Sequence, residues 1–153
     1  YLAWKACEEA KNPRFYFDLA DAKKYAAKGQ TPSTPNVAAL FGLQVSLRHM
    51  VDEGIEKLTA YHEHIGEYCR QKMLDMGLKL YGDPAHYSNT VTAVVIEDRP
   101  AKQVLDRLVS EYDIHCGGSK DPSVEMIRIG HMGYVSEADL DAVAQALAEI
   151  LGI

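Results

Sequence analysis

Thr90-Val-Thr-Ala-Val-Val-Ile96 is a run in which six of seven side chains are branched at Cβ, and it reads as a buried β-strand. On its N-terminal side Leu78-Lys-Leu-Tyr81 reads as a short strand. On its C-terminal side Pro100 suits the first turn of a helix carrying Val104, Leu105, Leu108 and Val109. Ile114 to Cys116 then reads as a short strand ending at Gly117-Gly118, and Glu125 to Ile129 alternates as a further strand. Ser136, followed three residues later by Asp139, resembles a capping box whose acid is one carbon short. The helix behind it sets Leu140, Val143, Leu147, Ile150 and Leu151 on one face.

Upstream of this strand-rich part the period becomes helical. A helix over about Asn36 to Val51 carries Val37, Leu40, Phe41, Leu43, Leu47, Met50 and Val51, and is expected to pack on both neighbours. A second helix, about Glu53 to Met76, places Ile55, Leu58, Ile65, Cys69, Met73 and Met76 on one stripe and stops at Gly77, a residue suited to a left-handed helix end. The two join at Asp52-Glu-Gly54. Residues 1 to 30 read as Ala/Lys-rich helical turns broken at Asn12-Pro13 ahead of Phe15-Tyr16-Phe17. Thr31-Pro-Ser-Thr-Pro35 must be extended, because each residue before a proline is pushed out of the helical region. The division is therefore 1–35 as a connecting segment and 36–153 as a small domain with its leading helices. The order helix-helix-strand-strand-helix-strand-strand-helix, with short connections, implies an α/β, two-layer α+β arrangement: a small, mostly antiparallel sheet with helices on one face.

With 153 residues the chain is the size of one domain, and its 47% hydrophobic and 25% charged residues are those of an ordinary globular protein. The net charge of -6, with lysines and arginines scattered among acids, argues against a nucleic-acid surface. No apolar run approaches the roughly 20 residues needed to span a bilayer, and no signal-peptide pattern is visible. A cytoplasmic protein with a small-molecule or protein partner is the expectation. Tyr1-Leu-Ala-Trp4 enters a helical pattern without an initiator Met, as if cut from something longer. Cys7, Cys69 and Cys116 are odd in number and widely spaced, so neither a disulfide framework nor a zinc site is indicated.

Several constellations invite a functional reading. His62 and His64 are two apart on a helix and point to nearly opposite sides, while His49, His86, His115 and His131 lie in other elements, so no shared metal is expected. Gly117-Gly118 opens no helix and continues into no phosphate-loop pattern, which favours a tight turn between strands. No Ser/His/Asp or Cys/His nucleophile pattern is present. Two features exceed what a fold requires. Arg128, between isoleucines and ahead of Gly130-His-Met-Gly133, is either an edge-strand arginine paired with a surface acid or a ligand-binding charge. Thr31-Pro-Ser-Thr-Pro35 holds hydroxyls on a stiff backbone before a helix, either as a plain N-cap by Thr34 or as a place for an anion.

Lys28-Gly-Gln-Thr-Pro-Ser-Thr-Pro35, Leu40-Phe-Gly-Leu43 with Leu47, Asp52-Glu-Gly54, Leu78-Lys-Leu80, Asn89-Thr-Val-Thr-Ala93, Gly117-Gly118 and Arg128-Ile-Gly-His-Met-Gly133 occur in one order. Together they resemble the class V, pyridoxal-phosphate-dependent aminotransferases of the alanine-glyoxylate, serine-glyoxylate and serine-pyruvate kind, from about Trp4 to the end. The resemblance implies the C-terminal small domain of a fold-type I enzyme. It also implies a homodimer that moves an amino group between a small amino acid and a keto acid such as glyoxylate or pyruvate. By this resemblance Thr34 donates a hydrogen bond to the cofactor phosphate of the neighbouring subunit, and Thr31 falls where many relatives place another phosphate-side residue. Arg128 matches the arginine that grips the substrate α-carboxylate. The family's Schiff-base lysine, near a Ser-x-x-Lys run, and its ring-binding aspartate belong to the region upstream of the match. None of this chain's lysines stands in such a run, so the chain alone is expected to be inactive. Two competing readings are a free-standing amino-acid-binding regulatory module, which the long helices disfavour, and a dimerisation domain, which leaves Arg128 unexplained.

Overall fold

The computed structural model describes residues 2–121 and 123–153, so the expectation about the starting Tyr1 lies outside the described residues. The chain forms two compact units, Tyr1–His49 and Met50–Ile153.

In the first unit two short helices, α1 (Leu2–Glu9) and α2 (Leu19–Ala26), flank the break that Asn12-Pro13 imposes. Asp18 caps α2 by accepting from the backbone N–H of Ala20 at 2.8 Å and Asp21 at 3.3 Å. The extended Thr31–Pro35 stretch then leads to α3 (Val37–Glu53). The start of α3 differs from the Thr34 alternative. Asn36 is the cap, its Oδ1 accepting from Ala39 N at 3.1 Å, because α3 begins at Val37 and Thr34 stands two residues before the cap position. The expected packing of α3 on both neighbours is also not seen. Leu40, Phe41, Leu43 and Leu47 stay 49–64% exposed, and no residue of the helix is buried.

In the second unit a single glycine, Gly54 with φ +88°, separates α3 from α4 (Ile55–Asp75), and Gly77 with φ +78° ends the latter as its sequence suggests. Four strands follow: β1 (Lys79–Leu80), β2 (Val91–Val95), β3 (Gly117–Gly118) and β4 (Met126–Gly130). They lie in the order β1-β2-β4-β3, every pair antiparallel. The expected strand at Ile114–Cys116 is displaced: Gly117-Gly118 is itself the strand, pairing Gly117 with Arg128 and Gly118 with Ile127, and is not a turn. Glycines pair there because the ladder is made by backbone groups and neither residue needs a side chain to make it.

Alternation sorts the strand residues. Thr92, Val94, Ile127 and Ile129, 0–3% exposed, point to one face, where α4 and α5 (Ala101–Tyr112) cover them and α6 (Glu137–Leu151) packs against both helices. Ile65, Cys69, Met73, Val104, Leu108, Leu140, Leu147 and Ile150 complete that core. The Ser136–Asp139 capping box forms despite its short acid. Asp139 N donates to Ser136 Oγ at 3.3 Å, and Ser136 N donates to Asp139 Oδ2 at 2.8 Å. At its other end α6 is closed by Arg99, which donates to the Ile150 and Leu151 carbonyls at 2.9 and 3.3 Å.

Candidate functional site

Arg128 follows from the alternation of β4. Its neighbours Ile127 and Ile129 are drawn into the core, so a side chain between them must stand on the opposite, uncovered face of the sheet. The strand order makes β4 interior, with β2 on one side and β3 on the other. Arg128 is therefore not an edge-strand arginine. It enters no ion pair among the described residues, whereas Arg14 and Arg107 each have an acidic partner. Its cross-strand neighbours, Ala93 and Gly117, are both small and put little side chain directly beside the guanidinium. A solvated charge of this kind is not costly in itself, and its fork of donors is available to a carboxylate.

The turn after Arg128 is tied to α4. His131, 1% exposed, sends Nε2 to within 2.9 Å of Thr92 Oγ1, and its Nδ1 meets no hydrogen-bond partner among the described residues. Two residues on, Gly133 takes a left-handed φ of +74° and donates its N–H to His62 Nε2 at 3.3 Å. His62 Nδ1 lies 3.0 Å from the Leu58 carbonyl, so the neutral ring with its proton on Nδ1 satisfies both contacts. Tyr61 donates to the Val135 carbonyl at 2.7 Å, and His64 meets Glu137 at 2.6 Å. Close approach of α4 to the Asn89 backbone is possible because position 66 is glycine: a methyl there would stand 3.0 Å from Asn89 Cα. Sequence reasoning treated the histidines only as metal candidates. It missed that His62 and His131 hold the turn beside Arg128, since their partners lie 71 and 39 residues away.

Burial is the main influence on His131 and pushes it below the ordinary histidine value. Backbone groups of Asn89 and of His131 itself pull the other way, and the nearby charge of Arg70 adds to the lowering. The folded chain thus keeps this ring neutral where the unfolded chain would take up a proton. Stability from this residue is complete above about pH 6.5, the unfolded value, and is lost as pH falls below it. Urea unfolding between pH 7.5 and 5 is expected to show this decline, and His131→Gln is expected to flatten it.

Cys116 has its thiol pushed up to about 11 by burial, with Cys69 close enough to add to the effect, and Cys69 is raised by burial as well. Neither is a ready nucleophile.

The threonines occupy the first unit. Thr31 donates from Oγ1 to the Ser33 carbonyl at 2.7 Å, which closes the turn locally. Thr34 is exposed and its hydroxyl has no partner among the described residues. Both line a shallow depression of about 290 Å³ with Tyr16, Phe17 and Ser33. Thr31 and Thr34 are thus brought together, and Arg128 belongs to the other unit.

No family profile matches the chain. Individual relatives do. A soluble hydrogenase small subunit of Synechococcus sp. is 34% identical over 150 residues, 97% of this chain and 39% of that protein. A serine-glyoxylate aminotransferase of Methylorubrum extorquens is 34% identical over 130 residues, 83% of this chain and 32% of that protein. Among solved structures, an alanine-glyoxylate aminotransferase of Nostoc sp. superposes with a TM-score of 0.88 at 25% identity, over 97% of this chain and 41% of its own. The chain spans about two fifths of the relatives it matches. Its homologues by sequence and by fold thus include class V aminotransferases of the alanine-glyoxylate and serine-glyoxylate kind, and the share of them that it spans fits a C-terminal part.

Proposed function

We propose that this chain is the C-terminal part of a pyridoxal-phosphate-dependent aminotransferase. The complete protein would move an amino group between a small amino acid, such as alanine or serine, and a 2-keto acid, such as glyoxylate or pyruvate, as a cytoplasmic homodimer. The observation that carries this reading is Arg128: an arginine on an interior strand, facing away from the core, without an acid partner among the described residues. Both the amino acid and the keto acid bring a carboxylate, and a planar guanidinium grips one through two parallel hydrogen bonds.

The chain's other residues fit the cofactor at its phosphate end. Thr34, exposed on a stiffened backbone and with a hydroxyl that has no partner among the described residues, would donate its O–H to the phosphate of a cofactor carried by the neighbouring subunit. Thr31 stays beside it on the phosphate side, with its own O–H engaged by Ser33 and its part limited to shaping the turn. The lysine that would hold the cofactor's aldehyde is assigned to the upstream part of the complete enzyme. When bound, pyridoxal phosphate supplies the electron sink for the bond broken at the amino-bearing carbon.

Thr34→Ala tests the assignment. A hydrogen bond to a charged phosphate contributes roughly 1.5 to 3 kcal/mol, so the complete enzyme should lose cofactor more readily on dialysis, with a smaller effect on turnover once it is saturated. Unchanged retention with a large fall in turnover would remove Thr34 from the phosphate.

A further inference from the structure

Gly117 stands directly across the β3–β4 ladder from Arg128. A methyl group built on it would lie 3.3 Å from Nη2, 3.4 Å from Nε and 3.6 Å from Cζ of the guanidinium. Both nitrogens are nearer than the carbon between them. The space left by the missing side chain is therefore taken up by the guanidinium itself, which lies obliquely over position 117 with the edge that Nε and Nη2 form turned toward it. That edge is one of those from which an arginine offers two parallel N–H donors to a carboxylate. Gly118, the next residue, is a glycine for a different reason. A methyl there would stand 3.0 Å from Leu105 Cδ1, on the core side of the sheet.

We propose that Gly117 is a positioning residue for carboxylate recognition: its lack of a side chain lets the Arg128 guanidinium lie close against β3 and so sets where the fork's Nε/Nη2 edge meets the substrate's carboxylate. This rests on the reading of Arg128 as the carboxylate-binding group. A methyl group at position 117 pushes the fork away from β3 by a few tenths of an ångström. A branched side chain displaces it further. The backbone of position 117 needs no left-handed conformation, so steric conflict at the guanidinium is the main consequence of the change.

The experiment compares Gly117→Ala, Gly117→Val, Gly118→Ala and Arg128→Ala in the complete, cofactor-loaded enzyme. KM and kcat are measured with an amino-acid donor and with the matching amine that lacks the carboxylate, and thermal unfolding is followed alongside. With the loss of one or of both charge-assisted hydrogen bonds of the fork, Gly117→Ala is expected to raise KM for the amino acid roughly tenfold and Gly117→Val roughly a hundredfold. In both, kcat should be little changed and the amine unaffected, the signature of lost binding shared by ground and transition states. Gly118→Ala is expected to lower the unfolding temperature without splitting amino acid from amine. Equal losses on both substrates in the Gly117 variants, paralleling Gly118→Ala, overturn the proposal. So does an unchanged KM in both Gly117 variants while Arg128→Ala is impaired. An unimpaired Arg128→Ala would instead overturn the reading of Arg128 itself.

Discussion

Arg128→Ala in the complete enzyme is expected to lower kcat/KM by roughly two to three orders of magnitude for the amino acid and the keto acid alike. Each half-reaction presents a carboxylate to the same guanidinium, so the loss cannot be confined to one. Leaving one member of a desolvated charge pair unpartnered costs about 3 to 5 kcal/mol, and each 1.4 kcal/mol is about tenfold. Arg128→Lys should recover only part of the loss, because it keeps the charge and gives up the two parallel hydrogen bonds. An amine without a carboxylate should be nearly indifferent. Since Ile127 and Ile129 anchor β4 on the opposite face, removing the Arg128 side chain should hardly disturb the core. Intact amino-acid kinetics with a lowered unfolding temperature would make Arg128 a structural residue.

The second large effect is on stability. Leu147 is fully buried in α6, in the cluster with Leu108 and Ile127. Truncating such a leucine costs about 2 to 5 kcal/mol, part lost transfer energy and part cavity. Against total stabilities of about 5 to 15 kcal/mol, Leu147→Ala should shift the urea midpoint strongly without changing the slope of the transition. Tyr134→Ala, at a side chain 84% exposed, should stay within about 0.5 kcal/mol of the parent. A comparable shift in both would mean that Leu147 does not sit in the core described here.

Sequence alone determined the helices from α3 onward, strands β1, β2 and β4, and the left-handed glycine at 77, because each depends on local periodicity or on one residue's backbone preference. The family resemblance also came from sequence, through motifs spaced along the whole chain, and with it the candidate roles of Thr34, Thr31 and Arg128. Tertiary structure decided what local pattern could not. Gly117-Gly118 carries no strand signal of its own and becomes a strand only because β4 offers it a partner. Whether Arg128 sat at an edge beside an acid or inside the sheet depended on strand order, which alternation along β4 does not encode. The cap of α3 fell to Asn36 because hydrogen-bond reach, not residue type, separates it from Thr34. His62 and His131 acquired their roles from α4 and β2, which folding brings against the turn after Arg128. Local signals report what each residue's own backbone prefers, while a site is assembled from contacts between residues far apart in sequence.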